Sequence, residues 1–442
     1  MPIARYKSIV DQFRLAIEQG RLTPGTRLPP IRALMRQHGI ALATASRVYA
    51  ELEGCGLVSR ECGRGTFVRD RSQRGGEGLV HQPHSSQMID MTAFSAPVID
   101  GCDNLLRDSL RAMAMGGDIG ALLHATPHGG RMQERTILAA LLQQRGLDAT
   151  ARQLLIVSGA QHGLSIALAS LCKPGDVIAV DSLSYPGLLA LARSCRLDIA
   201  ALPQVAGHTD LDHLAELCRR RPVRAVYTMP TLHNPLGSVM PAADRQRLAT
   251  LAQRHDFAII EDAAYAFLAD SAPAPLFCHA PEHTIYVSSL SKSVASGLRT
   301  GMLIAPTRWL DALGNAIRLS TSSTPLLTVH LACRWIEDGT VARMETAERR
   351  DARLRQDRVQ QHLGHLGVLA HPTSYFAWLP LAEGLRADLV AAQLAREGIL
   401  VLTAEPFTAG PLVPHALRLA LGGIALPALD AALARIALAA AL

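Results

Sequence analysis

The sequence predicts an α/β protein with a small N-terminal unit, a large domain built on a mainly parallel sheet, and a smaller α+β part at its C-terminal end. The 442 residues exceed the roughly 150 of an ordinary domain, and a hydrophobic content of 49% suffices for a large core. From about residue 89, short apolar runs alternate with helical stretches, which is typical of a parallel sheet covered by helices. The first 70 residues instead show two short helices followed by a hairpin pattern.

The N-terminal unit, residues 1–70, has the pattern of a winged helix-turn-helix. Ile9, Phe13 and Ile17 recur at helical spacing, and Gly20 ends that helix. Two short helices, each stopped by a glycine, are predicted at 31–38 and about 43–53. Two β-prone runs, 57–60 and 66–68, then flank a Gly-rich turn and indicate a hairpin.

The basic residues are concentrated in this unit. The formal net charge of the chain is only +6, but residues 1–74 contain many arginines and few acids. A basic end on a near-neutral body favours contact with nucleic acid, although a solvated charged face is the alternative. Residues 71–88 are rich in glycine and serine and predict a flexible linker.

The large domain, residues 89–442, contains six short apolar runs that predict buried strands. They are 154–157, 177–180, 225–228, 258–260, 285–287 and 302–304. Helical patterns lie between most of them, and about 330–442 forms the smaller α+β part. We find no internal repeats.

Cysteine usage and the termini bear on the cellular compartment. The eight cysteines include no C-x-x-C pair, so we expect neither a zinc site nor a disulfide framework. Free cysteines fit a reducing cytosol. The N-terminus lacks the apolar core of a signal peptide, and no apolar run approaches the roughly 20 residues of a membrane span. We therefore expect a cytoplasmic protein without membrane or metal.

Side chains able to perform chemistry follow five of the predicted strands. Lys292 stands out, because lysine forms a Schiff base with an aldehyde cofactor. The neighbouring hydroxyls of Ser289 and Ser291 and the guanidinium of Arg299 are suited to holding a phosphate. Asp262 ends another strand, where a carboxylate pairs well with a protonated pyridine nitrogen.

The other three strand ends carry weaker signals. A rigid turn presents Asn234, a strand–helix junction offers the N–H groups of Ala160 and Gln161 to a phosphate, and Tyr185 offers an aromatic face. Each feature alone also fits a surface loop, a capping Asp or an ordinary turn. Together they predict one site, because ligands of open α/β sheets bind beyond the carboxyl ends of the strands.

This set resembles the class I aminotransferases, enzymes of fold type I that use pyridoxal 5′-phosphate (PLP), over roughly residues 90–440. The resemblance implies that Lys292 carries the internal aldimine and that Asp262 pairs with the pyridine nitrogen. It implies further roles for Asn234 and Tyr265 at the ring 3′-oxygen, for Tyr185 stacked on the ring, for the phosphate ligands Ala160, Gln161, Ser289, Ser291 and Arg299, and for Arg418 as the grip on a substrate or effector carboxylate. A strand arginine in a surface ion pair is the alternative for Arg418.

The N-terminal unit resembles a GntR-type winged helix, carried by the segments 25–29, 31–34 and 63–68. That resemblance implies DNA contacts by Arg32, Thr44, Arg47, Arg64, Gly65 and Thr66. Protein contact by the winged helix is the alternative. The whole chain is similar to the MocR-type regulators, which join these two domains, and this implies a homodimer.

Two departures from these families are visible. The family tyrosine that reaches the partner subunit's phosphate is missing near 122–126, where His124 is the open candidate to replace it. In the recognition helix, Leu42 stands where an arginine is frequent, and Leu cannot contact guanine as Arg does. We therefore expect phosphate contacts to outweigh base contacts in DNA binding.

Three functions are compatible with this sequence. The first is a transcription regulator that binds an operator near its own or adjacent genes and senses PLP, or an amino compound, through Lys292. The second is a metabolic amino-acid aminotransferase with an appended DNA-binding domain. The third, a regulator that has lost its cofactor, is disfavoured by the intact set of PLP residues. The regulated genes, the sign of regulation and the effector remain open at this point, as does enzymatic turnover.

Overall fold

The computed structural model of the chain describes residues 5–23, 25–54, 57–61, 65–68, 88–94, 102–116, 119–205 and 207–441. The predicted wing tip at Arg64 and the predicted linker 71–88, except residue 88, lie outside these ranges.

The N-terminal unit has three helices and a two-stranded hairpin around one small core. Its elements are α1 (Arg5–Glu18), α2 (Ile31–His38), α3 (Leu42–Gly54), β1 (Val58–Glu61) and β2 (Gly65–Val68). Helix α2 ends because Gly39 adopts the left-handed conformation, with φ 56°. Leu34, Val48 and Leu52 are fully buried between the helices, and Val68 of the hairpin packs on the same core. This confirms the winged helix-turn-helix.

The large domain follows with alternating helices and strands. Its elements are β3 (Ile89–Asp90), α4 (Cys102–Met115), α5 (Met132–Gln144), β4 (Leu154–Val157), α6 (Ala160–Leu171), β5 (Val177–Asp181), α7 (Pro186–Ser194), β6 (Asp198–Leu202), β7 (Gln204–Val205), β8 (His208–Thr209), α8 (Leu211–Arg220), β9 (Val223–Thr228), α9 (Ala242–His255), β10 (Ala258–Asp262), α10 (Leu276–His279), β11 (Thr284–Ser289), β12 (Gly301–Ile304), α11 (Thr307–Thr321) and α12 (Leu326–Glu337).

The smaller C-terminal part begins with a long helix that leaves the large sheet. Its elements are α13 (Thr340–Leu363), β13 (Leu369–Ala370), β14 (Phe376–Pro380), α14 (Ala387–Arg396), β15 (Ile399–Leu400), β16 (Leu402–Thr403), β17 (Ala416–Ala420) and α15 (Leu426–Ala441). The described helices include none that is long and apolar enough to cross a membrane.

A seven-stranded sheet forms the centre of the large domain, in the order β4-β12-β11-β10-β9-β5-β6. Six of its strands run in the same direction, whereas β12 runs antiparallel to both neighbours. Each of the six predicted apolar runs lies within one of its strands, and β6 is an additional edge strand. The sheet places the carboxyl ends of β5, β9, β10 and β11 side by side, which is where the predicted site residues follow.

The small part, hereafter the small subdomain, packs helices on an antiparallel sheet of order β13-β14-β17-β16. Strand β3, the first described element after the predicted linker, pairs with β15, with Ile89 opposite Ile399. The chain therefore enters the large domain through the small subdomain.

Candidate functional site

Lys292 lies in a buried, aromatic environment just after β11. Its Nζ is 4.8 Å from the ring centre of Phe94 and 5.9 Å from that of Tyr265. Burial, together with the charges of Arg418 and Arg299, lowers the pKa of Lys292 to about 8, whereas Asp262 opposes this shift. The neutral amine that a nucleophile requires is therefore far more abundant near neutral pH than for an ordinary lysine.

Asp262, at the end of β10, is the buried acid of the site. Its Oδ1 accepts a hydrogen bond from the Ala264 N–H (3.0 Å), and its Oδ2 accepts one from the Tyr227 hydroxyl (2.9 Å). Burial raises the pKa of Asp262 to about 6, although both donors and the Lys292 cation act to lower it. A carboxylate in this position is prepared to receive one further cationic donor.

A helix start, two serines and an arginine form a concave polar surface at the ends of β4 and β11. Gly159 precedes α6 with φ 87°, and a Cβ there would come within 2.7 Å of the Arg299 guanidinium. Arg299 donates to the Ser158 carbonyl (2.9 Å) and to the Ser291 hydroxyl (3.4 Å). Ser289 Oγ accepts from the Ser291 N–H. The first N–H groups of a helix lack intrahelical partners, and those at the start of α6, from Ala160, therefore suit an anion beside Arg299.

The remaining ring-facing candidates are also at this edge of the sheet. Asn234 is buried, and its Oδ1 has no hydrogen-bond partner among the described residues. Tyr265 is buried beside Phe376 (4.9 Å between ring centres). The Gln161 amide donates to the Gly187 carbonyl (3.1 Å). The Tyr185 ring is half-buried over Gly187, where a Cβ would meet it within 2.5 Å.

Arg418 comes from β17 of the small subdomain and is 5% exposed. Its guanidinium lies between the rings of Phe376 and Phe407, at 5.1 and 5.2 Å from their centres. Nη2 donates to the Thr92 carbonyl, while Nε and Nη1 are buried without a partner in the described part of the chain. Burial lowers the pKa of Arg418 to about 10, so it is still a cation at neutral pH. The charge of Asp90 acts on this cation, but the side chain is buried and its Nε and Nη1 have no hydrogen-bond partner in the described residues, which argues against the surface ion pair.

The proposed DNA-contacting residues that the structure describes lie on α2, α3 and β2 of the N-terminal unit. Arg32 on α2 and Arg47 on α3 are exposed, and the Arg47 guanidinium stacks 4.3 Å from the Tyr6 ring centre. Thr44 is half-buried on α3, and Gly65 and Thr66 lie on β2. Arg64 is outside the described residues. His124 is exposed, and no described contact links it to the site above.

Comparison with known families assigns both parts of the chain. Residues 103–436 match the model of the aminotransferases of class I and II. The chain belongs to this family. Residues 5–68 match the model of the bacterial regulatory proteins of the gntR family. The protein is thus a GntR helix-turn-helix domain fused to an aminotransferase domain, as the two resemblances implied.

Relatives with the same arrangement span nearly the whole chain. An HTH-type transcriptional regulator of Bacillus subtilis is 28% identical over 411 residues, covering 93% of this chain and 88% of the relative. The HTH-type pyridoxine biosynthesis transcriptional regulator of Corynebacterium glutamicum is 27% identical over 421 residues, covering 91% of this chain and 88% of the relative. The homologues are thus named as transcriptional regulators.

The fold is also that of solved aminotransferases. A kynurenine aminotransferase of Pyrococcus horikoshii, solved with PMP, superimposes with a TM-score of 0.76 at 21% identity, covering 85% of this chain and 95% of that one. This likeness establishes the fold of the aminotransferase domain.

Two residues of the aminotransferase domain that face the site escaped the sequence analysis. Phe94 covers Lys292, and Tyr227 holds Asp262. Tyr227 lies inside a predicted apolar run, where a tyrosine looks like core packing. Its pairing with Ile260 in the neighbouring strand places it on the same sheet face as Asp262, two residues on. A tyrosine in a strand predicted to be fully buried could have indicated this contact, because its buried hydroxyl needs a hydrogen-bond partner.

Proposed function

We propose that the protein is a PLP-dependent transcription regulator that binds DNA through its GntR domain and senses PLP or a small amino compound at Lys292. The observation that carries this proposal is the pair of buried cations, Lys292 with a lowered pKa and Arg418 with unused donors, in a chain that begins with a GntR domain. A DNA-binding role also implies the cytoplasm.

The residues of the site fit PLP. Asn234 Oδ1 and Gln161 Oε1 are buried polar atoms without partners in the described ranges, so they are available to a ligand. Gly159 lets the Arg299 guanidinium lie against the start of α6, because a Cβ there would come within 2.7 Å of it, and a guanidinium beside the first N–H groups of a helix suits a phosphate. When bound, PLP supplies an aldehyde for amines and a ring that withdraws electrons.

In this proposal each residue has one task. Lys292 supplies the amine that holds the cofactor, and Asp262 accepts a hydrogen bond from the protonated ring nitrogen. Asn234 and Tyr265 donate to the ring oxygen, and Tyr185 covers one ring face. Ala160, Gln161, Ser289, Ser291 and Arg299 bind the phosphate.

Arg418 is proposed to bind the carboxylate of the effector. The guanidinium is fixed by Thr92 and by two aromatic rings, so a carboxylate meets donors that need no reorganisation. Arginine offers a rigid fork that matches a carboxylate. The effector class that follows is an amino acid, whose amine is directed to Lys292 and whose carboxylate is directed to Arg418.

The two domains are in contact, which offers a physical connection between effector and DNA. The Arg386 guanidinium lies 4.2 Å from the centre of the Phe67 ring of the hairpin. A Cβ on Gly25 would lie 3.2 Å from Leu389 Cδ2. Arg386 directly precedes α14 of the small subdomain, the same subdomain that carries Arg418. Movement of that subdomain would therefore act directly on the winged helix.

A homodimer is part of the proposal. Five large apolar side chains on α4 and the turn that follows it are exposed, among them Met115 (88%) and Leu123 (90%); the others are Leu106, Leu110 and Ile119. An apolar patch of this kind marks an interaction surface. Leu123→Asp should shift the protein towards monomer in sedimentation, whereas Leu438→Asp, on an exposed position of α15, should not.

The direct test combines absorbance and DNA binding. The purified protein should absorb visible light, and borohydride should fix the cofactor on Lys292. Lys292→Ala should lose both, and Lys173→Ala, an exposed lysine, should keep them. A borohydride-stable adduct in Lys292→Ala would refute the assignment.

DNA binding should depend on Arg32 and Arg47. Replacing both by Ala should weaken binding to the DNA upstream of the gene without changing the absorbance, while Arg254→Ala in the large domain should leave binding intact. Binding should fall steeply with salt, because arginine–phosphate contacts release counterions. Specific binding that survives removal of residues 1–70 would contradict the proposal.

The intact pair of Lys292 and Arg418 favours a second candidate, a metabolic amino-acid aminotransferase. Incubation with single amino acids distinguishes the two functions. Stoichiometric conversion to the 2-oxo acid, followed by turnover on addition of a second 2-oxo acid, would support the enzyme. A spectral response without released product would support the sensor.

A further inference from the structure

Tyr227 makes a contact with Asp262 that the assignments above do not use. The Tyr227 hydroxyl donates to Asp262 Oδ2 over 2.9 Å, and the two side chains are 1% and 2% exposed. Tyr227 is the penultimate residue of β9, and Asp262 ends the adjacent strand β10. Their backbones are fixed by parallel pairing, with Tyr227 opposite Ile260. The hydrogen bond therefore joins two rigid elements in the centre of the sheet.

The surroundings leave this hydroxyl few other tasks. Asp262 is coupled electrostatically to four other ionisable groups. They are Lys292 after β11, Tyr185 before α7, Tyr265 after β10 and Tyr286 in β11. Burial and the nearby Asp262 raise the pKa of Tyr227 well above its ordinary value, so the phenol stays protonated and can only donate towards the carboxylate. Ala264 N–H occupies the other oxygen.

We propose that Tyr227 is a positioning residue that keeps Asp262 ionised and its carboxylate plane fixed for the ring nitrogen of the cofactor. This rests on the proposed PLP function. A buried carboxylate resists ionisation unless donors stabilise the charged form. Asp262 has one backbone donor and one side-chain donor in the described structure, and only the side-chain donor is open to replacement. Each oxygen keeps a lone pair for a further donor, so the cofactor does not displace Tyr227.

The expected effect concerns the pH range of cofactor binding. Binding requires ionised Asp262, so PLP affinity should fall as the pH drops through the pKa of this group. Removing a donor to the charged form raises that pKa, and the acid-side midpoint of PLP affinity should move upward. A hydrogen bond to a charged group corresponds to a shift of about one to two pH units.

The experiment compares Tyr227→Phe with Tyr286→Phe. Tyr286 is a buried tyrosine of the neighbouring strand β11 that makes no described hydrogen bond to Asp262. PLP affinity is measured by fluorescence titration of each apo-protein across pH, with thermal unfolding as the folding check. Neither substitution touches PLP or Lys292 directly, so differences between midpoints report on Asp262 and on Lys292 only through its coupling to Asp262. We expect the raised midpoint in Tyr227→Phe alone.

Each outcome decides between the claims. An unchanged midpoint in a folded Tyr227→Phe protein that still binds PLP would overturn this inference and leave the proposed function standing. Absence of PLP binding by the unaltered protein would overturn the proposed function itself. If Tyr227→Phe does not fold, Tyr227→His retains a donor, and a midpoint close to that of the unaltered protein supports the donor role. A raised midpoint in Tyr227→His would show that a donor at this position is insufficient, and it would reject the proposed role of Tyr227. In an Asp262→Asn background, Tyr227→Phe should shift nothing, because it acts through the carboxylate.

Discussion

Replacing Arg418 by Met is the sharpest single test of the effector site. Met has a similar length but no charge and no donors. In the folded protein Arg418 is buried, holds the Thr92 carbonyl, and leaves Nε and Nη1 unpartnered among the described residues. The substitution thus removes the proposed carboxylate donors while the residues assigned to the cofactor, which are on the large sheet, remain.

The size of the effect follows from burial. Loss of one partner from a buried, hydrogen-bonded charge pair costs about 2–5 kcal/mol. The affinity of the protein for an amino-acid effector should therefore fall by about 30-fold to several thousand-fold. Without ligand, the same change removes a buried cation whose Nε and Nη1 have no hydrogen-bond partner in the described residues, so the melting temperature should fall little.

The assay is a titration of the visible absorbance with amino acids and with an amine of matched length that has no carboxylate. Arg418→Met should lose the response to amino acids selectively, with PLP affinity and the amine response unchanged. Equal weakening of the amine and the amino acid would show that Arg418 acts on the fold of the site. An unchanged amino-acid response would place the carboxylate elsewhere and refute the reasoning.

Three further predictions test other parts of the site. Gly159→Ala should lower the free energy of unfolding by about 1–3 kcal/mol and also weaken PLP binding, because a side chain at this positive φ would clash with Arg299. The control Gly175→Ala, at a glycine with a similar φ and open space around it, should lower the free energy of unfolding without changing the affinity for PLP. The rate of covalent PLP attachment should rise with pH up to about 8 and then level off, since only neutral Lys292 attacks; a rate that is flat from pH 6 to 9 would contradict this. Arg386→Ala should reduce the effect of amino acids on operator affinity in gel shifts, and an effect of undiminished size would exclude the Phe67 contact as the connection.

The fold was accessible from the sequence because buried parallel strands appear as continuous apolar runs. All six runs lie within strands of the central sheet, and the structure extends most of them by one or two residues. The edge strand β6 was missed because Asp198–Leu202 is only partly buried and gives no continuous apolar signal. Such a strand is visible only through its pairing with β5.

The antiparallel direction of β12 was within reach of the sequence. The connection from β11 to β12 spans only residues 290–300 and has no crossover helix, only a single short 3-10 turn. A parallel connection usually needs a dozen or more residues and a helix. A return in the opposite direction therefore fits this short segment, which carries both Lys292 and Arg299 and brings Arg299 to Ser158.

The sequence predicted those site residues that follow the strand ends. It did not predict which side chains contact them. Lys292, Asp262 and Asn234 follow strands whose carboxyl ends share one edge, so their convergence follows from topology. Tyr227 reaches the site through the register of β9 against β10. Phe94 reaches it from a segment more than a hundred residues before Lys292 in the sequence. No local pattern contains that information, because it depends on how distant elements pack.

The division of the site between two subdomains indicates which ligand can act as a signal. All residues assigned to the cofactor belong to the large sheet and its loops, whereas Arg418 belongs to the small subdomain, which also contacts the hairpin of the GntR domain. A ligand shifts a conformational equilibrium only as far as it binds the two states differently. PLP alone meets the same large-sheet residues whatever the position of the small subdomain. In the proposed function, an amino acid that spans from Lys292 to Arg418 would have its carboxylate contact only when the small subdomain is close, so we propose that the amino acid is the signal that reaches the winged helix and that PLP holds it.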